Sequence, residues 1–227
     1  MHFASALAAV ACFSGAALCQ TKLKFMPLGD SITEITCWRA LVWDNLVAAG
    51  VSGSVQFVGS TTSNTVNCRA NDPAWEKRHE GHSGFLAVDI ARTNLPNWLR
   101  LNQPDIVNFM LGTNDVSRGK TTTEIINAYT SIVTQLRAAN PKVKIIVDTV
   151  IPLSFGQAGV TAINNQIPAW AAQQNKTDSP IYVLDVATGY PASANRDGVH
   201  PGAQGDQIIA SKMSPLLVQI IKGSIKQ

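Results

Sequence analysis

The chain has 227 residues, of which 45% are hydrophobic and only 15% are charged. This composition is too apolar for a disordered chain, and the length is sufficient to bury a substantial core. The 18 basic and 15 acidic side chains leave a net charge of +3 and are scattered along the sequence. Because nucleic-acid binding needs a basic run or stripe, we expect no nucleic-acid partner.

The first 19 residues differ from the rest of the chain. They contain no Lys, Arg, Asp or Glu and end in the small-residue pattern Ala17-Leu18-Cys19, which predicts a secretory signal cleaved near residue 19. A membrane anchor is the alternative, but the apolar run is shorter than the roughly 20 residues that a spanning helix needs. We therefore expect a secreted, extracellular protein without membrane association, with a single domain over residues 20–227.

The remaining sequence alternates between short apolar runs and segments of helical periodicity. Strands are predicted at residues 23–28, 55–58, 105–111, 143–150 and 181–185. Helices are predicted at residues 38–49, from about residue 85, after a capping box of Thr121 and Glu124, at 160–174 with a disturbance at Pro168, and at 201–221. A polar loop is expected at residues 61–84. The alternation predicts a three-layer α/β/α sandwich around a five-stranded parallel sheet.

Four polar segments come after predicted strands, and such segments meet at one edge of a parallel sheet. They are Gly29-Asp30-Ser31-Ile32-Thr33, Glu80-Gly81-His82-Ser83-Gly84, Gly112-Thr113-Asn114-Asp115 and Asp197-Gly198-Val199-His200-Pro201. Each segment alone is also typical of an ordinary turn. Because the four segments are expected at the same edge of the sheet, we favour a common functional site over four unrelated turns.

The chemistry of these segments suits acyl transfer. A serine hydroxyl needs a base within hydrogen-bond reach, and we predict Ser31 as nucleophile, His200 as base and Asp197 as the carboxylate that orients the imidazole. The side-chain amide of Asn114 and the backbone N–H groups of Ser31 and Gly81 are the candidate donors to a developing oxyanion.

Together, the four segments resemble the SGNH hydrolase superfamily, which is named for Ser, Gly, Asn and His in four ordered blocks. The matching residues are Ser31, Gly81, Asn114 and His200, and the blocks span nearly the whole mature chain. The resemblance implies a flavodoxin-like α/β/α fold and a serine esterase that needs no cofactor. The absence of a Gly-x-Ser-x-Gly elbow argues against the ordinary α/β-hydrolase fold.

A finer resemblance lies in residues 26–33, in Thr36-Cys37-Trp38-Arg39 and in residues 78–84. These segments are similar to carbohydrate esterase family three, secreted microbial enzymes that remove acetyl groups from xylan. The resemblance implies an acetylated polysaccharide or oligosaccharide as substrate. One departure is Ile35, where the family usually has Gly, and a branched side chain there is expected to narrow the cleft beside Ser31.

Two cysteines remain after removal of the signal, which would carry away Cys12 and Cys19. In an oxidising compartment the pair Cys37 and Cys68 predicts one disulfide, with two buried free thiols as the alternative. The sequon Asn175-Lys176-Thr177 marks Asn175 as a candidate glycosylation site.

Sugar recognition is expected to use aromatic and basic side chains near the catalytic edge. Trp38, Trp75 and Tyr190 are candidates for stacking on sugar rings, and Arg39 for hydrogen bonds to sugar hydroxyls, with a structural salt bridge as its alternative. Trp43 and Trp98 occupy helical positions that are more typical of a core.

Other functions remain open at this point. His79 and His82, with Asp197 and His200, would form the ligand set of a metal-dependent polysaccharide deacetylase. A non-catalytic carbohydrate-binding protein would need only the aromatic residues. Among esterases, pectin, small esters and lipids are alternative substrates. We expect no metal for the serine mechanism and a monomeric protein.

Overall fold

A sheet of six parallel strands forms the centre of the computed structural model, which describes residues 21–225. The strands are β1 (Leu23–Gly29), β2 (Val55–Phe57), β3 (Glu80–Gly81), β4 (Ile106–Met110), β5 (Lys144–Asp148) and β6 (Ile181–Leu184). Five of them follow the order β2-β1-β4-β5-β6, and β3 pairs with the end of β1. The predicted parallel sheet is confirmed, and the predicted polar loop at 61–84 contains one additional short strand.

Within the described part of the chain, eight α-helices surround this sheet. They are α1 (Ser31–Glu34), α2 (Trp38–Ala48), α3 (Ala87–Asp89), α4 (Leu95–Leu101), α5 (Thr113–Ser117), α6 (Thr122–Ala139), α7 (Gln157–Gln174) and α8 (Ala203–Ile225). The capping box at Thr121 is present, with Glu124 reaching back to the backbone of the cap residue. The predicted disturbance at Pro168 is not seen, because α7 runs through this residue without a break. The last helix begins two residues later than predicted and extends to residue 225.

Between α3 and α4 the chain makes one π-helical segment, Ile90–Asn94, that sequence periodicity did not indicate. Pro96 lies in the first turn of α4 and has no N–H to donate to the turn before it. The wider π turn accommodates this missing hydrogen bond while the chain keeps its helical direction.

The core has two layers, one on each face of the sheet. Along β1, Phe25 faces the layer formed with α2 and α8, and Met26 faces the layer formed with α6 and α7. This alternation follows from the two-residue period of a strand. Since both faces are covered, the strands are almost uniformly apolar, as in other parallel sheets. The predicted three-layer sandwich is confirmed.

Helix α8 is long and apolar enough, by length and composition alone, to cross a membrane. It nevertheless packs as a core helix, with Ile209, Met213 and Leu217 buried against the sheet and α2. Polar contacts fix its register, since Asp206 accepts a hydrogen bond from the Trp38 backbone N–H. Its apolar face is therefore explained by the fold.

A disulfide joins Cys37, just before α2, to Cys68 in the long loop after β2, as the cysteine count predicted. The bond closes a loop of 31 residues, and chain entropy assigns it roughly 3–4 kcal/mol of stability. Cys12, Cys19 and the predicted signal at residues 1–19 lie outside the described residues. Asn175 is exposed at the end of α7, and its glycosylation stays a prediction.

Buried carboxyl groups lie at the ends of the central strands. Asp148, the last residue of β5, is buried and accepts a hydrogen bond from the Asn108 side-chain amide at 3.0 Å. Burial raises the pKa of Asp148 well above its usual range. Burial also raises the pKa of Asp30 to about 7, assisted by the neighbouring Asp115 and opposed by a backbone hydrogen bond from Ile32. The folded protein therefore holds these protons more tightly than the unfolded chain does.

This difference predicts how stability depends on pH. Stability from carboxyls with raised pKa values is fully present below about pH 4 and is lost as the pH rises through their folded values. These carboxyls should therefore contribute a decline in the free energy of unfolding from about pH 4 to about pH 7. Asp148→Asn keeps the side-chain shape without the titrating proton, so its decline should be shallower by up to about 1.4 kcal/mol per pH unit.

Urea unfolding at several pH values measures how the free energy of unfolding changes with pH in the wild type and in Asp148→Asn. The matched control is Asp178→Asn, which makes the same chemical change at an exposed position. An equally steep decline in the Asp148→Asn protein would contradict the assignment.

Candidate active site

Ser31 lies where β1 ends and α1 begins. Asp30 caps this short helix, and its Oδ1 accepts the Ile32 backbone N–H at 2.9 Å. A Cβ on Gly29 would lie 2.2 Å from Thr33 Oγ1, so only glycine allows this tight turn. As the first residue of the helix, Ser31 has a backbone N–H without an intrahelical acceptor. The turn thus presents both a hydroxyl and an N–H at the sheet edge.

His200 and Asp197 meet Ser31 from the other end of the chain. The distance from His200 Nε2 to Ser31 Oγ is 2.8 Å, and that from His200 Nδ1 to Asp197 Oδ2 is also 2.8 Å. With Nδ1 donating to the carboxylate, Nε2 is left to accept the serine proton. Residues 31, 197 and 200 therefore form one chain of hydrogen bonds in the order that the sequence predicts.

A compact turn holds the Asp197 carboxylate in place. Its Oδ1 accepts the backbone N–H groups of Val199 and His200 at 3.0 and 2.8 Å, and Gly198 takes a φ of +83°. Although desolvation opposes the shift, these hydrogen bonds lower the pKa of Asp197 to about 2. The carboxylate is therefore ionised at neutral pH and can stabilise a positively charged imidazole.

Gly81 reaches the site through strand pairing. It lies opposite Gly29 in the β1–β3 register, and a Cβ on Gly81 would lie 2.8 Å from the Glu34 backbone nitrogen. Its N–H donates to His79 Nδ1 at 3.0 Å. Burial, with a smaller contribution from the charge of Arg39, lowers the pKa of His79 to about 3, so this imidazole is neutral and accepts.

Asn114 follows β4 and occupies the first turn of α5. Its Nδ2 donates to the Phe85 carbonyl oxygen at 3.0 Å and to Asp30 Oδ2 at 3.2 Å. Two of the three predicted oxyanion donors, the Gly81 N–H and the Asn114 amide, thus have protein acceptors in this structure, while the Ser31 N–H at the start of α1 has no intrahelical acceptor. To donate to an oxyanion, the Asn114 amide must give up its hydrogen bond to Asp30 Oδ2, the longer of its two contacts.

Ser31, Asn114 and His200 line a cleft of about 350 Å³. Ile35 lies in its wall, where a narrowing side chain was expected. Phe155, which is 45% exposed, also lines the cleft and is an apolar side chain that the sequence did not predict there. Phe155 follows β5, so the rule that placed the other segments at this edge could have identified it.

The four predicted sugar contacts are corrected by the structure. Trp38 is 2% exposed, Arg39 1%, Trp75 8% and Tyr190 5%. Such burial leaves no ring face or guanidinium edge for a sugar. The sequence carries no signal for the direction in which these side chains point.

These side chains support the loops of the site instead. Arg39 donates to the carbonyl oxygens of Thr33, Glu34 and Lys77, joining α1 to the long loop before β3. Trp38 Nε1 donates to the Ile32 carbonyl oxygen.

Tyr190 supports the loop that carries Asp197 and His200. Its hydroxyl donates to Asn195 Oδ1 at 2.6 Å, and the Asn195 amide donates to the Pro152 carbonyl oxygen. Asn195 also forms a bridge with Pro201, which closes the loop that carries Asp197 and His200.

The residues of the metal hypothesis do not converge. His79 contacts the Ser63 carbonyl oxygen, His82 contacts Glu80, and His200 contacts Ser31 and Asp197. Within residues 21–225, no group of three His, Cys, Asp or Glu side chains is arranged to hold a metal ion. The imidazoles belong to three separate hydrogen-bond networks.

Two solved structures resemble this chain with a TM-score of 0.86 and 48% sequence identity. One is an acetyl esterase with a serine-to-alanine substitution and an acetate ion, and the match covers 89% of this chain and 99% of that one. The other is a carbohydrate esterase family 3 from Talaromyces cellulolyticus, with 88% and 99% covered.

A multidomain esterase of Ruminococcus flavefaciens is 27% identical over 237 residues, which is 90% of this chain. The chain spans only 29% of the length of that relative. Residues 28–208 match the GDSL-like Lipase/Acylhydrolase family. The match includes all four predicted blocks and agrees with the resemblance drawn from the motifs. The chain therefore belongs to the GDSL-like lipase/acylhydrolase family, groups with carbohydrate esterase family 3, and is a carboxylic ester hydrolase of the serine type.

Proposed function

We propose that this protein is a secreted acetyl esterase that removes acetyl groups from plant cell-wall polysaccharide, with acetylated xylan as its substrate. The observation that carries the proposal is the hydrogen-bond chain Ser31–His200–Asp197 at the wall of a small cleft. The 48% identity to an acetyl esterase and to a carbohydrate esterase supports the acyl group and the substrate class. The disulfide supports secretion, because such bonds persist in oxidising compartments.

The cleft suits a short acyl group joined to a larger alcohol. Ile35 and Phe155 line it together with Ser31. A second concavity of about 470 Å³ adjoins it and shares Ser83 and Gly84 with it. Its polar lining includes Arg92, Asn94 and Arg118. Such groups can hydrogen-bond sugar hydroxyls, which favours a polysaccharide over a lipid as the alcohol part.

In the first half of the reaction, Ser31 Oγ attacks the acetyl carbonyl carbon while His200 Nε2 takes the serine proton. Asp197 orients the imidazole and stabilises its charged form. The carbonyl oxygen becomes an oxyanion that accepts from the Ser31 N–H group. It also accepts from the Gly81 N–H and the Asn114 amide, which give up His79 Nδ1 and Asp30 Oδ2 for it. When the C–O bond to the sugar breaks, His200 returns its proton to the departing sugar oxygen, and an acetyl group remains on Ser31.

Water completes the cycle. His200 removes a proton from a water molecule, the resulting hydroxide attacks the acetyl carbon, and Ser31 leaves with the proton that His200 returns. Acetate and free enzyme are the products.

The substrate class is tested by acetate release from acetylated xylan and from a small aryl acetate. The wild type should cleave both, and Ser31→Ala should lose at least about 10³-fold in kcat. Ser117→Ala is the matched control, because Ser117 lies in the same cleft without contacting His200. Activity on the aryl ester alone would overturn the polysaccharide assignment, and full activity in Ser31→Ala would overturn the mechanism.

The oxyanion role predicts a second result. Asn114→Ala should lower kcat about 10²–10³-fold with little change in KM, since the donor acts on charge that develops in the transition state. Asn127→Ala, on the exposed face of α6, serves as the control. A large rise in KM at unchanged kcat would assign Asn114 to ground-state binding instead.

A further inference from the structure

One buried acidic side chain near the site takes no part in the triad. Glu80, in β3, is fully buried. Its Oε2 accepts the Ser60 N–H at 2.8 Å, and its Oε1 accepts from the Ser60 hydroxyl and from His82 Nε2, the latter at 2.7 Å. Burying a carboxyl group costs free energy unless its oxygens are hydrogen-bonded. Here the two contacts with Ser60 hold the carboxylate, and the third contact holds the His82 ring.

The His82 ring is the centre of a three-ring cluster. Its centroid lies 4.5 Å from the Trp98 ring at an interplanar angle of 14°, and 5.1 Å from the Phe85 ring at 29°. Aromatic pairs at such separations stabilise each other beyond the area they bury. The cluster therefore fixes Phe85 relative to His82.

The segment from His82 to Phe85 connects two parts of the site. The Phe85 N–H donates to the His82 carbonyl oxygen at 3.2 Å, and Gly84 takes a φ of +81°, as a tight turn requires. At its start, the His82 N–H donates to the Gly29 carbonyl oxygen, two residues before Ser31. At its end, the Phe85 carbonyl oxygen accepts the Asn114 side-chain amide at 3.0 Å.

We propose that His82, held by Glu80 and stacked on Phe85 and Trp98, is a positioning residue that aims the Asn114 amide through the Phe85 carbonyl oxygen. The inference rests on the proposed function, because Asn114 matters as an oxyanion donor. His82 does not act on the substrate itself, since its Nε2 faces the buried Glu80. An Asn114 amide that points in the wrong direction stabilises the transition state less, and substrate binding is unchanged.

A double-mutant cycle on the aryl acetate tests this coupling. His82→Ala should lower kcat about tenfold at unchanged KM in the wild-type background. In the Asn114→Ala background the same change should cost less than about twofold, because the group it positions is gone. Equal losses in both backgrounds, or a loss confined to KM, would overturn the proposal.

A second pair of variants avoids leaving Glu80 without its partner. Trp98 is half-buried, so Trp98→Ala removes the ring beneath His82 while the Glu80–His82 hydrogen bond remains. Trp98→Ala should lower kcat, as His82→Ala does. Trp98→Phe, which keeps an aromatic ring beneath His82, should retain most of the wild-type kcat. Failure of the phenylalanine to restore the rate would contradict the stacking role.

Hydrogen exchange gives a readout that does not need activity. The Asn114 side-chain amide should exchange faster with water in His82→Ala, while the backbone amides of α6 keep their protection. Unchanged Asn114 exchange would overturn the positioning role, as would a loss of protection throughout the protein. A wild type that cleaves no acetyl ester would defeat the proposed function, and the exchange result would still decide the position of Asn114.

Discussion

The site depends on the pairing of three parallel strands at one residue. Gly29, at the end of β1, lies opposite Gly81 of β3 on one edge and Met110 of β4 on the other. This register brings the turn with Ser31 between the segments that carry Gly81 and Asn114. Close packing at Gly29 and Gly81 allows no side chain at either position. The strand register therefore determines the spacing between the nucleophile and the oxyanion donors.

Buried side chains with polar tips then hold the loops on this frame. Arg39 joins α1 to the long loop before β3, Tyr190 braces the loop of Asp197 and His200, and Glu80 with His82 braces the turn that reaches Asn114. Each of these groups needs its partners, because an unpaired buried polar atom costs free energy. A loop displacement would leave several such atoms unpaired at once. The hydrogen bonds of these buried side chains thus both stabilise the fold and maintain the geometry of the catalytic site.

The sequence predicted the parts that depend on periodicity and strand order. The three-layer fold and the meeting of Ser31, His200 and Asp197 at one edge followed from apolar runs and from the rule for strand ends. It carries no signal for side-chain direction, and its prediction of Trp38 and Trp75 as sugar contacts is wrong because both side chains are buried. The two-residue β3 was missed because Glu80 and Gly81 form a strand only through pairing with β1, a tertiary contact without a local signal.

The central claim is that Ser31 is the nucleophile and that His200 activates it. The most direct measurement is reaction with a serine-directed phosphonate, followed by mass spectrometry of the digested protein. The account predicts one adduct per chain, on Ser31, with activity lost in proportion to labelling and with slow labelling in His200→Ala. An adduct on another serine, or full ester hydrolysis by protein whose Ser31 is completely labelled, would contradict it.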